Sequence, residues 1–267
     1  MYPWRRVLIP TDFSTAARWA FDNAIHVAGS TGAELAILHI RMTIPSRPDE
    51  LRFPADEVIY GYAEQYELEA LRQRSRELNA SVVTRLLVRQ APDAGAEIKS
   101  AAGEESADLI VIATHARHHV AHLLIGSTTL NVLSDPPAPV LAVRYGTKRR
   151  HHMRRLVVPV HLNETSIGAA QLAASIAARE AGELLLVVVC QPSDRDAANA
   201  RAGDVASRLT GVRSEQIIVE GDNVEREIVR YADGIDADAI VVHSTVGDVE
   251  HAIVRSAGTP VMIVPRQ

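Results

Sequence analysis

The chain has 267 residues, enough for one large hydrophobic core or two modest ones. Its 47% hydrophobic content predicts a soluble globular protein, and 4% aromatic residues exclude an aromatic-lined groove for single-stranded nucleic acid. With 28 basic against 33 acidic residues, the formal charge of −5 supplies no overall field to attract DNA.

The amino-terminal MYPWRRVLIPTDFS is positively charged but lacks the apolar stretch of a signal peptide. Short apolar, β-branched runs predict strands at Val7–Thr11, Leu35–Ile40, Val82–Val88, Leu109–Ala113 and Val140–Val143. Their nearly unbroken apolar character suits strands buried on both faces of a parallel sheet. Helical periodicity fills the gaps, at Thr15–Gly29, Glu57–Asn79, Asp93–Glu105 and Ser127–Ser134. Arg41–Asp56 is proline-rich and reads as a surface loop or a flap over the sheet edge. Arg144–Arg155, RYGTKRRHHMRR, reads as a solvated basic linker, since nothing nearby extends it into a nucleic-acid patch. Further on, Cys190 closes the run LLLVVVC; a single cysteine allows no internal disulfide and fits a buried thiol in a reducing compartment. No run reaches the roughly 20 apolar residues of a membrane span, so the expected location is the cytoplasm.

The second half follows the same order in less space because the chain repeats itself. RVLIPTDFS…GAELAILHI lies over RLVVPVHLN…AGELLLVVV without a gap, pairing Arg6 with Arg155, Pro10 with Pro159 and Glu34 with Glu183. ADLIVIA (Ala107–Ala113) matches ADAIVVH (Ala237–His243), and APVLAV (Ala138–Val143) matches TPVMIV (Thr259–Val264). Alternating strands and helices imply right-handed crossovers, so each copy is a doubly wound α/β unit with an open five-stranded parallel sheet flanked by helices. The predicted units are residues 1–146, a basic linker at 147–154, and a shorter unit at 155–267.

In such a sheet, ligands bind beyond the carboxyl ends of the strands where the strand order reverses. Those ends offer Pro10, Thr11 and Asp12 after the first strand, and His39–Ile40 after the second. After the fourth comes ATHARHHVAHLLIGSTT, in which Gly126-Ser127-Thr128 opens a helix whose free N–H groups favour an anion.

On these segments the chain resembles the universal stress protein family in its tandem form. LIPTDFS is similar to the family's opening strand with its nucleotide-side Asp, GAELAILHI to its second strand, and ADLIVIATHARHHVAHLLIGSTTLNVLSDPPAPVLAV to its closing strand–loop–helix–strand unit. The resemblance implies two Rossmann-like domains packed as a pseudo-dimer, their last strands, Val140–Val143 and Val261–Val264, paired across a pseudo-two-fold. It also implies an adenine-nucleotide site, for ATP with Mg2+, formed by Asp12, the His39–Ile40 backbone and the loop from Ala113 through His115, Ala116, Arg117, Gly126 and Ser127 to Thr128. ATP-binding members carry Gly, two residues, Gly, nine residues, then Gly-Ser or Gly-Thr. This chain keeps the spacing but has Ala113 and Ala116 in the first two places, and His119 where many members have another glycine. Alanine keeps its N–H; its Cβ costs about 1–2 kcal/mol wherever left-handed φ is required.

The second copy departs further. His161 replaces the equivalent of Asp12, the stretch from His243 to Pro260 is shorter than that from Ala113 to Pro139, and no Gly-Ser pair survives, which predicts a mainly structural partner. His115, His118, His119 and His122 share one face if their segment is helical, a spacing that can hold zinc; the competing readings are an exposed polar loop and phosphate contacts. No Gly-x-Ser-x-Gly elbow occurs and no lysine follows Gly126-Ser127, so a hydrolase elbow and a P-loop are excluded. The resemblance allows at most weak ATP hydrolysis. Two readings stand: a stress-response regulator that binds adenine nucleotide through its first domain, and a nucleotide-free module for self-association or a protein partner. Neither calls for nucleic acid or a membrane.

Overall fold

The computed structural model describes residues 2–43, 54–114, 125–147, 152–161, 167–244 and 248–265. Its first half runs β1 (Arg6–Thr11), α1 (Thr15–Thr31), β2 (Glu34–Met42), α2 (Pro54–Leu78), β3 (Thr84–Ala91), α3 (Ala94–Glu104), β4 (Leu109–Ala113), α4 (Ser127–Ser134) and β5 (Val140–Val143). The second half repeats the order with β6 (Arg155–Pro159), α5 (Ile167–Arg179), β7 (Glu183–Cys190), α6 (Arg195–Ser207), β8 (Arg213–Glu220), α7 (Val224–Gly234), β9 (Ala239–His243), α8 (Asp248–Ser256) and β10 (Val261–Val264).

The ten strands form one continuous sheet, ordered β3-β2-β1-β4-β5-β10-β9-β6-β7-β8. Within each half every pairing is parallel; at the centre β5 and β10 run antiparallel, with Leu141 opposite Met262. The last strands therefore pair across the pseudo-two-fold, and the two five-stranded sheets are fused rather than merely packed together. All eight residues of these strands are buried. Separating the halves would expose side chains whose burial stabilises by about 1.5–3 kcal/mol each.

Alternation along the strands divides the core in two. Val7, Ile9, Leu35 and Ile37 face α1 and α2, while Leu8, Ala36 and Leu38 face α3 and α4; the second half repeats this with α5 and α6 against α7 and α8. The central strands are buried on both faces, as their unbroken apolar runs require. β3 differs: it begins at Thr84 rather than Val82, runs to Ala91, and is only partly buried, with Arg85, Val88 and Gln90 exposed, because an edge strand has a neighbour on one side only. The proline-rich stretch is shorter than expected, since Arg41 and Met42 extend β2 and α2 starts at Pro54. α1 is bounded as its sequence dictates: the Ser14 hydroxyl accepts from Ala17 N–H, and Gly32 takes a left-handed φ of 72° at the carboxyl end.

The repeat extends to the sheet's lower edge. Asp108 accepts from the N–H groups of Arg5 and Arg6, and Asp238 from those of Arg154 and Arg155. Arg6 and Arg155 each donate to the carbonyl of a helix C-cap, Glu105 after α3 and Ile235 after α7. Tyr2 crosses to the second half, its hydroxyl donating to Glu180 Oε1 at 2.9 Å. Among the described residues no helix is long and apolar enough to cross a membrane.

Candidate functional site

Beyond Thr11 the chain leaves β1 in a turn secured by its own side chains. Thr11 Oγ1 accepts from Phe13 N–H and Asp12 Oδ1 from Ser14 N–H, both at 3.0 Å, while Phe13 adopts a φ of 60°. This places exposed Asp12 at the carboxyl end of the sheet, next to the gap between β1 and β4. Across it, Thr129 Oγ1 donates to the Ala113 carbonyl at 2.9 Å and Gly126 N–H reaches the Thr114 carbonyl at 3.3 Å, pinning the head of α4 to the end of β4. Gly126 is the N-cap of α4 and supplies no side chain to the first-turn N–H groups, among them those of Ser127 and Thr128.

These pieces enclose one cleft of about 610 Å³, lined by Pro10, Thr11, Asp12, His39, Ile40, Ala113, Gly126, Ser127 and Thr128. The other candidates, His115, Ala116 and Arg117, and the metal candidates His118, His119 and His122, lie outside the described residues. Among the described residues no cluster of three or more His, Cys, Asp or Glu is arranged to hold a metal. Ala113 is an ordinary strand residue in register with Val143, and it is absent from the residues with positive φ. Alanine there carries no conformational penalty.

His39 belongs to the cleft by its backbone position alone. Its ring turns to the opposite face of the sheet, where Nδ1–H donates to the Thr11 carbonyl at 3.0 Å and the ring stacks on Phe13 at 4.4 Å between centroids. Behind it stands Glu64 of α2, 3.7 Å from Nε2 and gripped by Arg41 through two hydrogen bonds at 2.6 and 2.9 Å. Those bonds, and the charge of Glu64, hold the Arg41 guanidinium above its ordinary pKa. The imidazole thus braces the Asp12 turn from below, a role that strand periodicity decides: residue 39 falls on the α2 face and residue 40 on the cleft face.

Sequence reasoning missed the cleft's far wall. Leu38, Ile98 and Ile112 provide an apolar floor, and Pro92, Asp93 and Asn131 close the side beneath β3. The one available signal was Asp93 itself, an acidic residue just before a helix.

In the second half the equivalents of Ala113 and Asp12 are both histidines with partners inside the fold. His243, at the place of Ala113, accepts the Ala169 N–H through Nε2 at 3.0 Å. Gly168 makes room for the ring, since a Cβ there would lie 2.9 Å from His243 Cε1. His161, at the place of Asp12, approaches Glu250 at 3.4 Å, and its carbonyl accepts from Arg201.

The model of the universal stress protein family matches residues 3–144 and again 152–265. A Staphylococcus aureus USA300 protein described as a universal stress protein is 26% identical over 156 residues, covering 54% of this chain and 86% of that relative. The crystal structure of a universal stress protein from Archaeoglobus fulgidus superposes with a TM-score of 0.74 at 19% identity, over 98% of both chains. A functionally unknown protein from Pseudomonas aeruginosa PAO1 gives 0.64 at 15% identity, over 98% of this chain and 93% of the other.

Proposed function

Since the chain belongs to the universal stress protein family along both of its halves, we propose that it is a stress-response regulator whose first unit, residues 1–146, binds an adenine nucleotide such as ATP. Residues 155–267 serve as its structural partner, joined through 147–154. The observation that carries this reading is the convergence of nine candidate residues on one cleft, with Asp12 on one wall and the head of α4 on the other. A carboxylate suits ribose hydroxyls, N–H groups at a helix start suit phosphate, and the apolar floor suits a flat base. Asp12 and Asp93 make the described lining acidic, so a polyphosphate enters with Mg2+ as its counter-ion. The buried Cys190 thiol accords with a cytoplasmic site of action.

The test is mass spectrometry of small molecules released from the undialysed protein, together with calorimetric titration by ATP and Mg2+. About one adenine nucleotide per chain supports the reading. No release, and no heat up to millimolar ATP, refutes it, since that bounds binding at about 4 kcal/mol.

A second reading, a partner-binding module, draws on a groove of about 620 Å³ between α1 and α2. It is lined by Trp19, Tyr145 and Tyr66, the last 76% exposed. Aromatic side chains of this kind anchor protein interfaces. The groove lies apart from the nucleotide cleft, and Tyr66→Ala should leave nucleotide binding unchanged while weakening any partner.

A further inference from the structure

The far wall of the cleft has a chemistry that bears on which base it accepts. β3 ends at Ala91, and the following Pro92 and Asp93 line the cleft with Met42 of β2 and Asn131 of α4. Asp93 is the N-cap of α3, its Oδ1 accepting from Ala96 N–H at 2.9 Å. Asn131 Nδ2 lies 3.3 and 3.4 Å from the two oxygens of the same carboxylate. This contact holds the Asp93 carboxylate in place while leaving it lone pairs to accept further hydrogen bonds. The helices approach closely enough because residue 95 is glycine: a Cβ there would sit 2.7 Å from Asn131 Cβ.

The strand order places these groups along the axis of a bound nucleotide. Reading β4-β1-β2-β3 across the sheet, one passes the head of α4, then Asp12, then Ile40 and Met42, then Asp93. A nucleotide with phosphate at the head of α4 and ribose at Asp12 lays its base on Leu38, Ile40 and Ile98, with its outer edge toward Asp93.

A carboxylate accepts hydrogen bonds and cannot donate. An exocyclic amine satisfies it, whereas a carbonyl in its place sets acceptor against acceptor. We infer that the Asp93 carboxylate, held by Asn131, is the specificity element of the cleft, selecting a 6-amino purine over a 6-oxo purine. The inference rests on the nucleotide reading above and adds to it the residues that read the base.

The experiment is calorimetric titration of the full chain with ATP and with ITP, each with Mg2+, for the wild type and Asp93→Asn. Asparagine caps a helix as well as aspartate does, so α3 keeps its start, and an unchanged melting temperature checks this. Asp93→Asn presents an amide donor to the base edge in place of an acceptor. The expected result is that the wild type prefers ATP by about tenfold or more, and that the variant loses or reverses the preference. Equal binding of ATP and ITP by the wild type, or an undiminished preference in Asp93→Asn, overturns the inference and leaves the nucleotide reading standing. Failure of the wild type to bind either nucleotide overturns both.

Discussion

Replacing Gly168 by alanine brings a methyl group to 2.9 Å from His243 Cε1 and 3.0 Å from its Nε2. Carbon contacts are comfortable at about 3.5–4.0 Å, so the imidazole must retreat, and the hydrogen bond it accepts from Ala169 N–H is stretched or lost. Loss of that bond costs about 0.5–1.5 kcal/mol, and the overpacking about 1–3 kcal/mol. Alanine's better helix propensity returns about 1 kcal/mol. The net expectation is destabilisation by about 1–3 kcal/mol. In a His243→Ala background the methyl group meets no ring, and the same substitution becomes neutral or stabilising. A double-mutant cycle read by urea unfolding should therefore show a coupling of about 2 kcal/mol, with the sign of the Gly168→Ala effect changing between backgrounds. Additive effects would refute the close packing of residue 168 against the His243 ring.

Gly126→Asp should abolish ATP binding by setting a carboxylate against the phosphates. The fold should be kept or slightly stabilised, since aspartate caps α4 where glycine supplies no side chain; calorimetry with a thermal melt separates the two effects. Ala181 holds a φ of 50° at the position where the first half has Gly32, so Ala181→Gly should raise stability by about 0.5–1 kcal/mol in chemical denaturation, and a loss would count against backbone strain there. Burial, reinforced by the hydrogen bond to Glu180 and that residue's charge, pushes the Tyr2 phenol well above its ordinary value of 10.0. The folded protein keeps this proton at pH values where the unfolded chain has released it. The contribution is therefore fully present below about pH 10 and is lost as pH rises beyond it. Tyr2→Phe should flatten that alkaline decline in melting temperature, and an unchanged profile would exclude Tyr2 as its source.

Much of this protein is written locally. The apolar runs at Leu109–Ala113 and Val140–Val143 and the helix Ser127–Ser134 have the bounds expected from the sequence, because burial periodicity and capping act over a few residues. The duplication, too, is a property of the sequence alone, and it carries the family with it. What the sequence left open involves partners far apart along the chain. β3 is only partly buried because it ended at the sheet's edge, with a single strand neighbour. The His39 ring braces Phe13 and Glu64 because residue 39 met α2 across the sheet. Asp93 meets Asn131, 38 positions away, and His243 meets Ala169, 74 positions away, only once helices are packed against the sheet. Periodicity determines which face a side chain takes; tertiary packing decides what waits there, and so why the His39 ring braces a turn while the His243 ring accepts a helix N–H.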